Sequence, residues 1–108
     1  MRYHRSDSFK ADYKKLSEAE RQLFRESVGV FNDAADRIAS GDSGSWPAKL
    51  RVRAVRGAEG VFEMTWSFSG PDGRATWEWV TVTDQSTGRR HRAVRWRRVG
   101  NHAVFKKP

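Results

Sequence analysis

Apolar residues recur every three or four positions as far as Ile38 and every two positions from Lys49 onward. That switch of period constrains the fold more than any other feature of the chain. Phe9, Tyr13 and Leu16 fall on one helical face, and Phe24, Val28, Phe31, Ala35 and Ile38 form a regular apolar stripe behind them. Ser6 or Asp7 supplies an N-cap oxygen for the first helix. Ser17-Glu18-Ala19-Glu20 reads as a capping box for the second. Gly41, followed by Asp42-Ser43-Gly44-Ser45, ends that helix. Arg2-Tyr3-His4-Arg5 precedes both as a short first strand.

Pro47 closes the helical part, and strands follow. Leu50, Val52 and Ala54 alternate with Lys49, Arg51 and Arg53. After the turn Arg56-Gly57-Ala58-Glu59-Gly60, Phe62, Met64, Trp66 and Phe68 alternate with Glu63, Thr65 and Ser67. Gly70-Pro71-Asp72-Gly73 is a hairpin signal. Ala75, Trp77 and Trp79 then alternate with Arg74, Thr76 and Glu78. A polar loop over Thr83–Arg90 precedes the last strand, with Val94 and Trp96 inside and Ala93, Arg95 and Arg97 outside. The expected fold is α+β in the order β-α-α-β-β-β, a helical hairpin on one face of a mainly antiparallel four-stranded sheet. At 108 residues the chain is expected to be a single domain, 1–108.

An antiparallel sheet of this kind buries one face and wets the other. The wet face would carry Lys49, Arg51, Arg53, Glu63, Arg74, Glu78, Arg95 and Arg97. The formal charge is +8, and its distribution matters more than its size. Residues 1–40 hold 8 Lys and Arg against 7 Asp and Glu, whereas residues 41–108 hold 13 against 6. A positive field confined to the sheet half points to a polyanionic partner. Cys is absent, which excludes disulfide and thiolate chemistry and fits a reducing compartment. No apolar run approaches the roughly 18 residues of a membrane span, so a cytoplasmic protein without a membrane partner is expected.

The final strand leads through Gly100-Asn101 to His102 and Phe105, placing one proton-transfer group and one aromatic ring beside the basic face. RNA binding at that face, with cleavage, is the expected function. No His, Asp and Glu cluster has metal-ligand spacing, and no cofactor is expected. The five Trp belong mostly to the core, with Trp46 beside Pro47 as the exposed exception.

In element order and in several short motifs the chain resembles the RelE/ParE superfamily of bacterial toxins. The motifs are Leu50-Arg51-Val52 running into Arg56-Gly57, Val61-Phe62-Glu63, Asp72-Gly73-Arg74-Ala75-Thr76-Trp77-Glu78, and Trp96-Arg97-Arg98-Val99-Gly100-Asn101-His102-Ala103-Val104-Phe105. The last is similar to the ending of the RelE-, YafQ- and HigB-like ribonucleases. The resemblance implies a ribosome-dependent mRNA endoribonuclease that needs no metal, inhibits translation and is neutralised by a cognate antitoxin in a hetero-oligomer. It puts His102 on the catalytic His, Phe105 on the aromatic near the cleavage point, and Arg56 and Arg74 on positions for phosphate or transition-state charge. Glu63 falls where some members place a carboxylate, and cleavage chemistry makes it a candidate base. The chain departs from the pattern where members group two or three His, and where Phe105 replaces a proton-exchanging Tyr. A ParE-like inhibitor of DNA gyrase and a non-catalytic RNA-binding domain use the same scaffold. Glu63 and Arg74 would also pair across neighbouring strands with no catalytic role, and Phe105 would serve equally as a packed anchor.

Overall fold

A computed structural model describes residues 3–41, 44–67, 72–101 and 108. The element order is β1 (Tyr3–Arg5), α1 (Asp7–Lys14), α2 (Glu18–Ala39), a 3-10 turn (Ala48–Leu50), β2 (Arg53–Ala54), β3 (Val61–Ser67), β4 (Gly73–Thr83) and β5 (Arg90–Gly100). The fold is α+β, as the change of period implies. The sheet has five strands rather than four, in the order β1-β5-β4-β3-β2, and it is mixed, because β1 runs parallel to β5.

Both helices start where the sequence places a cap. The Ser6 side chain accepts from the Phe9 N–H, and Ser17 exchanges hydrogen bonds with Glu20 in a closed capping box. Gly41 takes φ +84° just beyond the C-cap of α2 and donates its N–H to Ile38. Replacing Ser17 with Ala leaves the Glu20 N–H without its acceptor, and urea unfolding should show a loss of about 1 kcal/mol.

Phe9, Leu16, Phe24 and Phe31 pack from the helices onto Met64, Trp66, Ala75, Trp77, Val94, Trp96 and Val99 of the sheet. Strand register explains the sheet set. Phe62 lies opposite Trp77 and Met64 opposite Ala75, while Trp96 lies opposite Trp77 and Val94 opposite Trp79. One face of three adjacent strands is therefore apolar. Gly73 lies against the Trp66 ring, where a Cβ would meet three ring atoms at 2.6–2.8 Å. Trp46, expected to be exposed, instead stacks on Phe31 with ring centroids 4.8 Å apart. The start of the expected hairpin turn, Gly70-Pro71, and Phe68 lie outside the described residues.

The alternation expected from Lys49 to Val55 does not form one strand. Ala48–Leu50 is a 3-10 turn, and Arg51 adopts the left-handed conformation at φ 47°, ψ 47°. That single residue resets the phase, so Leu50 and Val55 are buried while Ala54 is exposed. Lys49 and Arg51 consequently stand beside the sheet and not on its face, and only Arg53 reaches a strand. No helix among the described residues is long and apolar enough to cross a membrane.

Candidate nucleic-acid interface

Because Phe62, Met64 and Trp66 turn toward the helices, Glu63 and Thr65 of β3 point to the opposite face of the sheet. Register then assembles their neighbours. Arg53 of β2 and Thr76 of β4 flank Glu63 directly, Arg74 lies opposite Thr65, and Glu78 lies opposite Arg95. A bulge between the β4 and β5 registers aligns Trp77 with Trp96 but Thr76 with Arg98, so Arg97 is the inserted residue. Strict alternation would put Arg98 among the core residues and Val99 in solvent. The bulge instead buries Val99 in the core and leaves Arg97 beside Arg95.

Two carboxylates organise this face. Glu63 pairs with Arg53 and, at 3.0 Å, with Arg74, whose other nitrogen lies 3.4 Å from Asp72. Glu78 pairs with Arg97 at 3.0 Å and with Arg95 at 3.6 Å. The expected open face is therefore closed at its centre, since Glu63, Thr65, Arg74 and Thr76 are all buried. The arginines toward its edges remain accessible, with Arg53, Arg95 and Arg97 side chains exposed by 64%, 48% and 37%. Each exposed guanidinium has five donors and spends only part of them on a carboxylate, so the rim can still receive an anion.

At the β5 edge beyond β1, Asp12 of α1 accepts from Arg98 at 2.6 Å and from the Val99 N–H at 3.2 Å. That pairing satisfies a strand-edge donor and ties the helix to the sheet. The hydrogen bond to Asp12 raises the Arg98 pKa above its ordinary value despite partial burial, so Arg98 stays cationic throughout the pH range of a folded protein. Ser6 reinforces the junction by donating to the Arg97 carbonyl at 2.7 Å.

The structure thus gathers Arg53, Glu63, Arg74, Arg95 and Arg97 from the expected site residues. Arg56 stands apart in the exposed β2–β3 turn and, among the described residues, forms no ion pair with Glu63. His102 and Phe105 lie outside the described residues. Sequence reasoning missed Thr76, although its position between Arg74 and Glu78 in the alternation carried the signal. Asp12 had no such signal, and Arg98 had only the break in alternation at the doublet Arg97-Arg98, whose outcome strand pairing decides. The loop expected over Thr83–Arg90 is shorter, because Thr83 ends β4 and Arg90 begins β5. Arg90 and Arg92 lie on β5, with the Arg92 guanidinium 4.0 Å from the Trp79 ring centroid.

Among the described residues no group of three or more His, Asp or Glu side chains is placed to hold a metal ion. Comparison with protein-family models, curated proteins and solved structures finds no match to this chain.

Proposed function

We propose that this chain is an RNA-binding toxin of the RelE/ParE type, which holds an mRNA strand on the second face of its sheet and cleaves it on the ribosome. The carrying observation is the convergence of Arg53, Arg74, Arg95 and Arg97 on one face around two carboxylates. The element order and the motif around His102 support the same reading.

Cleavage of RNA at its own 2′-OH requires that hydroxyl to lose a proton, the developing phosphorane charge to be stabilised and the 5′-oxygen to gain a proton. Guanidinium groups held in fixed directions suit the second task. His102 suits the proton transfers, because an imidazole titrates near neutral pH. The environment of Glu63 favours a positioning role over that of base: the carboxylate is buried and held by two arginines. It would fix the direction of Arg74 and the outward reach of Arg53. Arg56 would act at the periphery through phosphate contact. An antitoxin covering this face would present acidic side chains to the rim arginines.

The reading is tested by inducing the protein in cells and mapping mRNA 5′ ends. Translation should stop and new ends should appear inside codons, and His102→Ala should reduce them by a factor of 100 or more, on the order of the loss of one acid–base group. Persistent cleavage in the His102→Ala strain would remove His102 from the mechanism. The burial of Glu63 favours one second reading, a non-catalytic RNA-binding domain, for which wild type would bind RNA yet leave mRNA intact on translating ribosomes. Intact mRNA with blocked DNA supercoiling would select the gyrase inhibitor instead.

A further inference from the structure

Thr76 is wholly buried, yet its hydroxyl reaches beyond the sheet. It donates to the main-chain oxygen of Pro108 at 3.1 Å, and Arg97 Nε donates to the same oxygen at 3.0 Å. Two donors from adjacent strands therefore meet at one acceptor. The β5 bulge makes this possible, since it sets Arg97 beside Thr76 on the second face. The two donors have different supports. Thr76 is locked by burial, while Arg97 is oriented by Glu78 at 3.0 Å.

The surroundings suit an anion. A cleft of about 290 Å³ is lined by Ser6, Ser8, Arg95, Arg97, Arg98 and Pro108. Three of those side chains are cationic and none is anionic. The carboxylates that hold the arginines, Glu78 and Asp12, do not line the cleft. A phosphate oxygen would use both the hydrogen bonds and the cationic charge of the cleft, which makes for the shorter, stronger bond. The cleft is of a size for one phosphate group with a few waters, below the usual range for larger organic ligands.

We propose that Thr76 Oγ1 and Arg97 Nε form an oxyanion subsite for one phosphodiester of a bound RNA strand, and that the Pro108 main-chain oxygen occupies it until RNA takes its place. The subsite rests on the RNA-binding reading above and adds to it a fixed phosphate position and a competitor within the chain. Entry of RNA then displaces Pro108, and removal of Pro108 strengthens RNA binding.

The probe is a short 2′-O-methyl oligoribonucleotide, which has no free 2′-OH and cannot be cut. Its affinity is measured by fluorescence anisotropy for three proteins: wild type, a chain lacking residues 106–108, and full-length Lys106→Gln/Lys107→Gln. The last matches the charge lost in the shortened chain while keeping Pro108. The shortened chain should bind on the order of fivefold tighter than that charge-matched variant, because two hydrogen bonds no longer need to be exchanged. In the wild type the Arg97 Nε–H resonance should shift when RNA is added. Thr76→Val in the shortened chain should cancel the gain. Equal or weaker binding by the shortened chain overturns the competition, and RNA binding that leaves the Arg97 Nε–H resonance unmoved overturns the subsite while the RNA-binding reading stands. If none of the three proteins binds the oligonucleotide, with folding verified by circular dichroism, the functional reading fails and takes the subsite with it.

Discussion

Replacing Glu63 with Ala should cost about 3 kcal/mol or more of folding free energy, because it strands a buried guanidinium. The Arg74 side chain is only 9% exposed, and Glu63 supplies its 3.0 Å partner. Asp72 at 3.4 Å offsets part of the loss, which is why the estimate sits at the lower end for a broken buried pair. Arg53 contributes little to the cost, since its side chain is 64% exposed and water takes over its charge. The comparison that isolates the mechanism is Glu63→Leu with Arg74→Met. Removing both charges avoids the stranded cation, so the double variant should recover most of the stability lost by Glu63→Ala. Urea unfolding of the three proteins decides the matter, and a double variant no more stable than Glu63→Ala would defeat the explanation. The result also governs any functional test. Under the proposed function, loss of toxicity in Glu63→Ala would read as lost fold, whereas Arg53→Gln alters the same cluster from its solvated side and tests the proposed RNA binding with the fold intact.

The second large effect belongs to the apolar face. Trp77 is fully buried, with Phe31 at 5.0 Å, Trp46 at 5.2 Å, Phe62 at 4.9 Å and Trp79 at 5.4 Å between ring centroids. Phe31 and Trp79 meet it nearly edge-on and Phe62 stacks parallel to it, both favourable arrangements for aromatic pairs. Trp77→Ala removes a ring shared by four others and should destabilise the protein by about 4 kcal/mol. For a domain of this size the melting temperature should drop on the order of 20 °C. Near-ultraviolet circular dichroism should lose most of its intensity in the same variant, because the surviving rings lose their fixed mutual orientation. A change of melting temperature within a few degrees would mean that the cluster repacks and that Trp77 is not its centre.

Legibility in the sequence followed the range of the interactions. The stripe from Phe24 to Ile38, the Ser17 box and the Gly41 stop are local events, and the helices begin and end where they indicate. The alternation in Phe62–Trp66 and Ala75–Trp79 also assigned the helix-facing side correctly. It failed at Arg51, where one left-handed residue shifts the phase of Leu50 to Val55, and it stopped at Arg97, beyond which a bulge shifts the phase of Arg98 and Val99. The shift at Arg51 leaves no mark in hydropathy, since arginine and apolar residues alternate on both sides of it, whereas the bulge shows as the doublet Arg97-Arg98 between Trp96 and Val99. The count of strands failed differently. The order β-α-α-β-β-β allows three strands after the helices, whereas the alternating segments are four, and the structure keeps the first of them only as Arg53–Ala54.

The sequence by itself determined that a helical half packs on a β half, that one face of the sheet is aromatic and apolar, and that the excess positive charge lies in the sheet half. Those properties are set by periodicity and composition, which act along the chain. Only the tertiary structure decided that β1 runs parallel to β5, that Glu63 and Arg74 are buried, and that Asp12 meets Arg98 across 86 positions. It also brought the oxygen of Pro108 to Thr76 and Arg97. These depend on register, bulges and desolvation, which arise when distant strands pair. What hydropathy presents as a row of solvated arginines becomes, once paired, two carboxylate-centred clusters with a cationic rim.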